Sequence, residues 1–169
     1  MANAENLLIV ADSERDANML YAVGMFVPDP FIYLNLRGRE ILVMSDLEID
    51  RARQHAAHCR VVSFSEHQRK LRDAGSRKTG FAEVIHSILS EKKIQSVIVP
   101  GNFPLELALE LKKLGIGVHP RPGTFFPQRE QKSAAEVKKI SAALVMAEVG
   151  MSEGIQALKS SKIAKDRRL

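Results

Sequence analysis

FIYLNLRGREILVM, residues 31–44, carries the clearest local signal for the fold class of this chain. Two apolar runs, FIYLNL (31–36) and REILVM (39–44), flank the pair Arg37 and Gly38. A two-residue connection that ends in glycine is typical of a β-hairpin. The pattern therefore predicts two antiparallel strands.

Outside the hairpin, short apolar runs alternate with helical patterns. The predicted strands are LLIVA (7–11), RVVSF (60–64), SVIV (96–99) and IGVHP (116–120). The predicted helices cover residues 14–23, 47–57, 81–92 and 105–114. Strands separated by helices need crossover connections, which favour parallel pairing. We expect an α/β fold with three layers: a mixed, mostly parallel sheet of about five to six strands, with helices on both faces.

The composition bounds the class of protein. At 169 residues, with 45% hydrophobic and 27% charged residues, the chain fits one domain and a short appendage. Its single cysteine, Cys59, excludes an internal disulfide and suits a reducing compartment. The opening MANAENLLIVADSERD has neither the basic flank of a signal peptide nor the length of a membrane span. We expect a cytoplasmic protein with no membrane partner.

Most of the net charge of +5 lies at the end of the sequence. Residues 155–169 contain five basic residues, one acid (Asp166) and no aromatic residue. A basic terminal cluster of this kind is typical of a solvated tail, so we do not expect nucleic acid as a partner.

Two carboxylates stand where chemistry could occur, because Asp12 follows the first predicted strand and Asp46 follows the third. Carboxylates at strand ends can hold two metal ions, as in nucleases of the ribonuclease H type. This makes a free-standing α/β enzyme or regulatory module with a metal or ligand site one hypothesis. Helix capping is the other interpretation, and we favour it because a serine followed three residues later by an acid or amide recurs at four helix starts. The pairs are Ser13 with Asp16, Ser45 with Glu48, Ser65 with Gln68 and Ser133 with Glu136.

One group of residues could bind zinc. His55, His58 and Cys59 lie three and four positions apart, which places them near one face at the end of a helix. A structural zinc site needs a fourth ligand, and the sequence has no second paired Cys or His motif. We therefore expect the histidines to be surface or helix-end residues and expect no cofactor in this chain.

Four segments of the chain form an ordered set. They are DANMLYAVGMF (16–26), VMSDLEIDRARQHA (43–56), VIVPGNFPLELALELKKLG (97–115) and QREQKSAAEVKKISAAL (128–144). In this order they resemble the N-terminal domain of the creatinase, prolidase and Xaa-Pro aminopeptidase family, the pita-bread metallopeptidases. In the last segment, Lys132, Ser133 and Glu136 match the Arg-x-x-Lys-Ser/Thr-x-x-Glu signature that leads into the catalytic domain of that family.

The resemblance implies a creatinase-type N-terminal α/β domain over residues 1–131, and a linker helix with the start of a catalytic domain over residues 132–169. In the family, two aspartates, a histidine and two glutamates of the catalytic domain bind two divalent metal ions (Mn, Co or Zn). The ions activate water against an Xaa-Pro peptide bond. All five positions would lie beyond Leu169. The resemblance therefore implies a noncatalytic assembly and substrate-gating domain of a metal-dependent Xaa-Pro peptidase, with a homodimer and a peptide substrate as partners.

The resemblance also implies that this domain helps to form the subunit contact and the entrance rim of a neighbouring active site. The loop GMFVPDP (24–30) is apolar and stiffened by prolines, so Met25, Phe26 and the preceding Tyr21 are candidates for that rim. The alternative is that Tyr21 and Met25 are core residues at a helix end.

After Ser133, apolar residues at steps of three or four line one face of a helix. They are Val137, Ile140, Leu144, Ala147, Met151, Ile155 and Leu158. We expect Gly150 and the cluster at 152–154 to divide the segment into two helices. The stripe either closes the core of this chain or, after Gly150, packs inside the catalytic domain. We favour the second interpretation.

Overall fold

The structure is a computed structural model that describes residues 5–161. The strands are β1 (Leu7–Ala11), β2 (Phe31–Leu36), β3 (Arg39–Met44), β4 (Arg60–Ser63), β5 (Ser96–Val99) and β6 (Gly117–Pro120). The helices are α1 (Ala17–Val23), α2 (Ile49–His55), α3 (Phe64–Asp73), α4 (Phe81–Glu91), α5 (Leu105–Lys113) and α6 (Ala134–Ser160). A short 3-10 turn covers Pro127–Glu130. Every predicted strand is present.

β2 and β3 form the predicted hairpin. Leu36 pairs with Arg39, and the turn residues between them, Arg37 and Gly38, have φ values of 54° and 82°. Positive φ at both central residues is the type I′ geometry, whose twist suits antiparallel strands. The amide of Gly38 also donates to Oδ1 of Asn35 over 3.1 Å, which closes the turn.

The strands form a six-stranded sheet in the order β4-β3-β2-β1-β5-β6. β2 pairs antiparallel with β1 and β3, whereas the β3–β4, β1–β5 and β5–β6 pairs are parallel. The expected mixed, mostly parallel sheet is confirmed. β1 lies inside the sheet and is covered on both faces, which explains why LLIVA is apolar at every position.

Helices cover both faces of the sheet, as expected. α1 and α2 pack on one face, where Met19, Val23 and Ala52 join Tyr33 and Leu42 in what we call the α1/α2 core. α4 and α5 pack on the other face, with partly buried residues of α3 at the margin, and form the α4/α5 core. Fully buried members of the α4/α5 core include Leu8, Ile32, Ile85, Leu89 and Leu111. Each such side chain stabilises the fold by roughly 1.5–3 kcal/mol.

α6 is one continuous helix of 27 residues, so the expected division at Gly150 is wrong. Gly150 and Gly154 both lie inside the helix, and neither has a positive φ. A glycine in a helix costs only about 1 kcal/mol relative to alanine, and most of the surrounding residues are good helix formers. The local weakness is therefore too small to break the helix.

The capping box at the start of α6 is confirmed. Oγ of Ser133 accepts from the amide of Glu136 over 3.3 Å, and Oε2 of Glu136 accepts from the amide of Ser133 over 2.8 Å. Hydrogen bonds from the Ser133 hydroxyl and amide lower the pKa of Glu136. This carboxylate is therefore charged where the helix dipole favours a negative group.

The predicted cap of α1 is wrong. Asp16, rather than Ser13, caps this helix, and its Oδ1 accepts from the amides of Asn18 and Met19 over 2.9 and 2.8 Å. The physical reason is that α1 begins three residues later than the pattern suggested, which leaves the serine outside the helix.

The predicted caps of α2 and α3 are also wrong. α2 has Glu48 at its cap position and no side-chain cap, so the hydroxyl of Ser45 does not cap it. α3 is capped two residues before Ser65, by Ser63, whose Oγ accepts from the amide of Glu66 over 3.0 Å. β4 ends at Ser63, and the helix therefore follows the strand without a loop.

The chain divides into two compact units, with the boundary between Pro127 and Gln128. The first unit contains the sheet and α1 to α5, and the second contains α6. Most of the expected basic tail, from Lys162 onward, lies outside the described residues. Within residues 5–161, no helix combines the length and the apolar composition that crossing a membrane requires.

Candidate functional site

A buried serine holds the loop 24–30, which carries two of the rim candidates. The hydroxyl of Ser13 donates to the carbonyl of Met25 over 2.7 Å and accepts from the amide of Val27 over 2.8 Å. The amide of Ser13 donates to the carbonyl of Val27 over 3.0 Å. Because Ser13 is fully buried, water does not compete for these hydrogen bonds. The loop backbone is thus tied to the segment that follows β1.

A second anchor for this loop comes from α2. Nη2 of Arg51 donates to the carbonyl of Phe26 over 2.5 Å, and its Nε donates to Oε2 of Glu48 over 2.8 Å. The Arg51 side chain is 46% exposed, so the ion pair itself adds little to stability. Its effect is to orient the guanidinium toward the loop.

Two of the three rim candidates are exposed. The exposed fraction is 43% for Tyr21 and 59% for Phe26, but only 6% for Met25. Met25 belongs to the α1/α2 core, which is the alternative interpretation of this residue. Its side chain supports the loop from beneath, whereas Tyr21 and Phe26 can contact an approaching molecule.

Tyr21 also belongs to an aromatic group that sequence reasoning missed. Its ring centroid lies 5.3 Å from that of Phe126, which in turn lies 4.8 Å from Phe125 in an edge-to-face arrangement. Phe125 is buried, and the guanidinium of Arg121 lies 5.5 Å from its ring centroid. The available signal was the adjacent phenylalanine pair in a chain that has seven phenylalanines.

The two carboxylates of the metal-site hypothesis, Asp12 and Asp46, lie in different cavities. Asp12 follows β1 and Asp46 follows β3, and because β2 lies between these strands, their ends are roughly 10 Å apart. Oδ1 of Asp12 accepts from the amide of Arg15 over 2.8 Å, and Oδ1 of Asp46 accepts from the hydroxyl of Ser63 over 2.5 Å. Each carboxylate has a local hydrogen-bonding role.

Asp12 lines a cavity of about 570 Å³ near the ends of β1 and β5. After β1 the chain turns to α1 on one face of the sheet, and after β5 it turns to α5 on the other. This reversal opens a crevice at the carboxyl ends of two parallel strands, which is where open α/β sheets bind ligands. Nδ2 of Asn102 donates to Oδ2 of Asp16 over 2.7 Å and links the two loops. With Glu106 and Glu110 also lining it, the cavity offers mainly hydrogen-bond acceptors.

A separate cluster brings Glu40 together with His58 and Cys59. Oε2 of Glu40 lies 3.6 Å from Nε2 of His58 and 3.6 Å from Sγ of Cys59. Oε1 of Glu40 accepts from the hydroxyl of Tyr33 over 3.1 Å and from Nδ2 of Asn35 over 3.4 Å. Burial and the nearby Glu40 carboxylate raise the pKa of Cys59 to about 12 and raise that of Tyr33 as well. Both groups are therefore neutral at physiological pH.

Helical spacing predicts that His55 groups with His58 and Cys59, but in the structure His55 lies outside this cluster. His55 is an exposed residue in the last turn of α2, as expected for a helix-end histidine. The third potential ligand beside His58 and Cys59 is instead Glu40, from β3. Sequence reasoning missed it because strand pairing, rather than helical spacing, brings it there.

Solved structures of other proteins share the fold of this chain. No protein-family model matches the sequence, and no curated protein matches it. The X-Pro aminopeptidase from Thermotoga maritima MSB8 has a TM-score of 0.71 and is 16% identical, over 91% of this chain and 41% of its own. The prolidase from Pyrococcus horikoshii OT3 has a TM-score of 0.64 and is 19% identical, over 96% and 40%. The prolidase from Pyrococcus furiosus has a TM-score of 0.61 and is 16% identical, over 95% and 41%.

The coverage is asymmetric, because nearly all of this chain matches less than half of each of those proteins. The matched part carries the same mixed sheet with helices on both faces. The chain therefore has the fold of the N-terminal domain of prolidase-like proteins and spans about two fifths of the length of the peptidases that it matches.

Proposed function

We propose that this chain is the noncatalytic N-terminal assembly and substrate-gating domain of a metal-dependent Xaa-Pro peptidase. The observation that carries the proposal is the fold, which covers 91% to 96% of this chain but only 40% to 41% of an X-Pro aminopeptidase and two prolidases. We assign the hydrolytic chemistry to a further domain of the parent polypeptide.

The surface of α6 supports the assembly role. Six residues of the predicted stripe are 44% to 64% exposed: Val137, Ile140, Leu144, Met151, Ile155 and Leu158. Val145, Met146 and Val149 are 57% to 75% exposed, and at 100° per residue they lie roughly 100–160° around the helix from Leu144. A helix that is apolar on more than one side is normally buried in the finished protein. We infer that α6, about 40 Å long, packs within the catalytic domain.

Tyr21 and Phe26 support the gating role. Both side chains are exposed, yet the backbone that carries Phe26 is held by Ser13 and Arg51. An apolar rim on a fixed backbone can limit which molecules reach an active site without contributing a catalytic group. We propose that the parent is a homodimer in which this rim flanks the entrance used by a peptide substrate.

The catalytic domain of the proposed parent would bind two divalent metal ions, Mn, Co or Zn. The ligand set that the resemblance implies is two aspartates, a histidine and two glutamates. Among residues 5–161, the group of three or more potential metal ligands is Glu40, His58 and Cys59, which does not fit that set. We therefore assign no hydrolytic step to these residues. We also propose a cytoplasmic location, in keeping with a single cysteine.

An activity measurement tests the noncatalytic role. The purified chain, supplied with Mn²⁺ or Co²⁺, is expected to release no product from Xaa-Pro peptides, followed by mass spectrometry. Turnover that disappears in Asp12→Ala or Asp46→Ala, but persists in Asp50→Ala, would instead favour the free-standing enzyme. Asp50 is the matched control because its carboxylate is 90% exposed on α2.

Kinetics of the parent polypeptide test the gating role. Phe26→Ala should raise KM for a peptide about fivefold, equivalent to roughly 1 kcal/mol of lost contact, and leave kcat unchanged. Leu47→Ala removes an apolar side chain that is 94% exposed and should change neither constant. Equal kinetics for Phe26→Ala and the unaltered parent would contradict gating. A monomeric parent in sedimentation would contradict the dimer.

A further inference from the structure

We propose that Glu40, His58 and Cys59 form a binding site for one divalent transition-metal ion, with zinc as the preferred ion. The side chains come from β3 and from the turn between α2 and β4. They offer a carboxylate, an imidazole and a thiol, which are the ligand types that zinc takes from proteins. A sulfur ligand disfavours magnesium and calcium, which prefer oxygen.

The ligand atoms already lie close to the spacing of a tetrahedral site. Oε2 of Glu40 is 3.6 Å from both Nε2 of His58 and Sγ of Cys59, and all three atoms lie within 4.8 Å of one another. Metal bonds of about 2.0–2.3 Å separate tetrahedral ligands by roughly 3.3–3.7 Å. Two of the three separations therefore already match a tetrahedral site. Rotation of the His58 side chain, which is 51% exposed, can adjust the third.

The carboxylate of Glu40 is held in the orientation that a metal ion needs. Hydrogen bonds from Tyr33 and Asn35 occupy Oε1, so Oε2 faces His58 and Cys59. Outer hydrogen bonds of this kind orient the ligands of protein metal sites. Cys59 is buried and His58 is exposed, which leaves one side of the site open to solvent. We assign the fourth coordination position to water on that side.

The arginines next to the cluster in sequence project from the other face of the sheet. Side chains alternate between the faces along a strand. Ile41 pairs with Arg60 and belongs to the α4/α5 core, so Arg60 and Arg39 share the face of Ile41. Glu40 shares the opposite face with Leu42, in the α1/α2 core. Strand alternation thus places these arginines on the opposite face from Glu40, but at the sheet edge Arg39, Arg60 and Lys92 line one cavity with Glu40 and His58. Their positive charge opposes the ion, and the carboxylate and the thiolate have to offset it.

Metal binding would exchange two hydrogen bonds for coordinate bonds and release one proton. The thiol of Cys59 donates to Oε2 of Glu40 over 3.6 Å, and it must pass its proton to solvent to bind the ion as a thiolate. Nε2 of His58 lies 2.9 Å from the carbonyl of Ala22, near the end of α1, and must leave it to bind the ion. The bond is exposed, so water can replace His58 at that carbonyl. The bound ion would then tie the turn before β4 directly to Glu40.

Titration of the untagged, metal-stripped full chain tests the site. Calorimetry should show one equivalent of zinc bound with a micromolar or lower Kd. The cobalt-loaded chain should show a thiolate-to-metal charge-transfer band and the strong visible bands of tetrahedral cobalt. Because Cys59 is the single cysteine, that thiolate band can come only from Cys59. Cys59→Ser should abolish the band, and His58→Ala or Glu40→Gln should weaken zinc binding more than about 100-fold. Asn35→Ala should weaken it about tenfold.

His55→Ala is the matched control and should leave zinc binding unchanged, because His55 is exposed on α2 and lies outside the cluster. An unchanged zinc affinity in either Cys59→Ser or His58→Ala, or a cobalt spectrum without the thiolate band, overturns the proposal. His58→Ala changes an exposed turn residue and should fold even if a variant of the buried Cys59 does not. An unchanged zinc affinity of His58→Ala alone is sufficient to reject the site.

Discussion

Replacing Ser13 by alanine should destabilise the chain far more than replacing Ser45 by alanine, although both serines begin the same Ser-x-x-acid pattern. The two side chains have different surroundings. Ser13 is fully buried and its hydroxyl makes two hydrogen bonds with the loop 24–30. Ser45 is exposed and accepts from the Glu48 amide through its backbone carbonyl, over 3.1 Å, which an alanine retains.

The magnitude follows from the partners that Ser13→Ala leaves unpaired. The carbonyl of Met25 and the amide of Val27 lose bonds of 2.7 and 2.8 Å. Each buried polar group without a partner costs about 1–3 kcal/mol, so the two together cost roughly 2–6 kcal/mol. Relaxation of the loop reduces this value, and we expect about 3 kcal/mol, or roughly 10 °C in Tm. For Ser45→Ala we expect less than about 0.5 kcal/mol.

Urea unfolding of the two variants and the unaltered chain, followed by circular dichroism at one pH, measures the difference. The slope against urea should be the same for all three, so that midpoints can be compared directly. If both variants lose the same amount, near 1 kcal/mol, both serines act as helix caps and the assignment of Ser13 to the loop is refuted.

Three further predictions concern α6 and the thiol. Gly150→Ala should raise the helical circular dichroism signal and stabilise α6 by up to about 1 kcal/mol, because the added methyl group meets open space; a loss of helix would indicate a break at this position. Ser133→Ala should cost about 1 kcal/mol of helix stability and raise the pKa of Glu136 in an NMR titration; an unchanged pKa would contradict the capping box. Because the pKa of Glu136 is lowered in the folded chain, its ionised carboxylate stabilises the folded chain at neutral pH. This stabilisation is lost as the pH falls through the acid range. The pKa of Cys59 is raised from 9.0 to about 12, so the stabilisation that the neutral thiol gives the folded chain is fully present below pH 9 and is lost as the pH rises toward 12. With a chelator present, the free energy of unfolding should fall over that interval, and Cys59→Ala should flatten the fall; equal slopes for the two chains would contradict the raised pKa.

Local patterns were sufficient for most elements of the fold. Arg37 and Gly38 between two apolar runs predict a hairpin because turn geometry depends on two adjacent residues. The start of α6 is equally local, since its capping box joins Ser133 to Glu136, three residues away. The same pattern failed at Ser13 because a nearby aspartate, Asp16, takes the cap position. A local rule cannot choose between Ser13 and Asp16 as the cap of α1, because the choice depends on the burial of Ser13 against the loop 24–30.

The candidate sites show that local patterns do not predict contacts between distant segments. The apolar loop 24–30 indicates Phe26 and the preceding Tyr21 as rim candidates, and both are exposed, but no local pattern predicts the contact of Tyr21 with Phe126. Helical spacing groups His58 and Cys59 with His55, whereas Glu40 supplies the third potential ligand in the structure. Spacing along a helix relates only residues of one segment, whereas the pairing of Ile41 with Arg60 brings Glu40 beside Cys59.

The order of the strands and of every helix except α3 follows from the sequence, as do the mixed sheet and the apolar character of the final helix, because these depend on residue period and on neighbours a few positions apart. Two contacts depend instead on how the chain folds back on itself: Ser13 holds the loop at Met25, across 12 positions, and Cys59 meets Glu40, across 19. Such contacts form when strand pairing and helix packing bring distant segments together, and their energies depend on burial, which no short stretch of sequence contains.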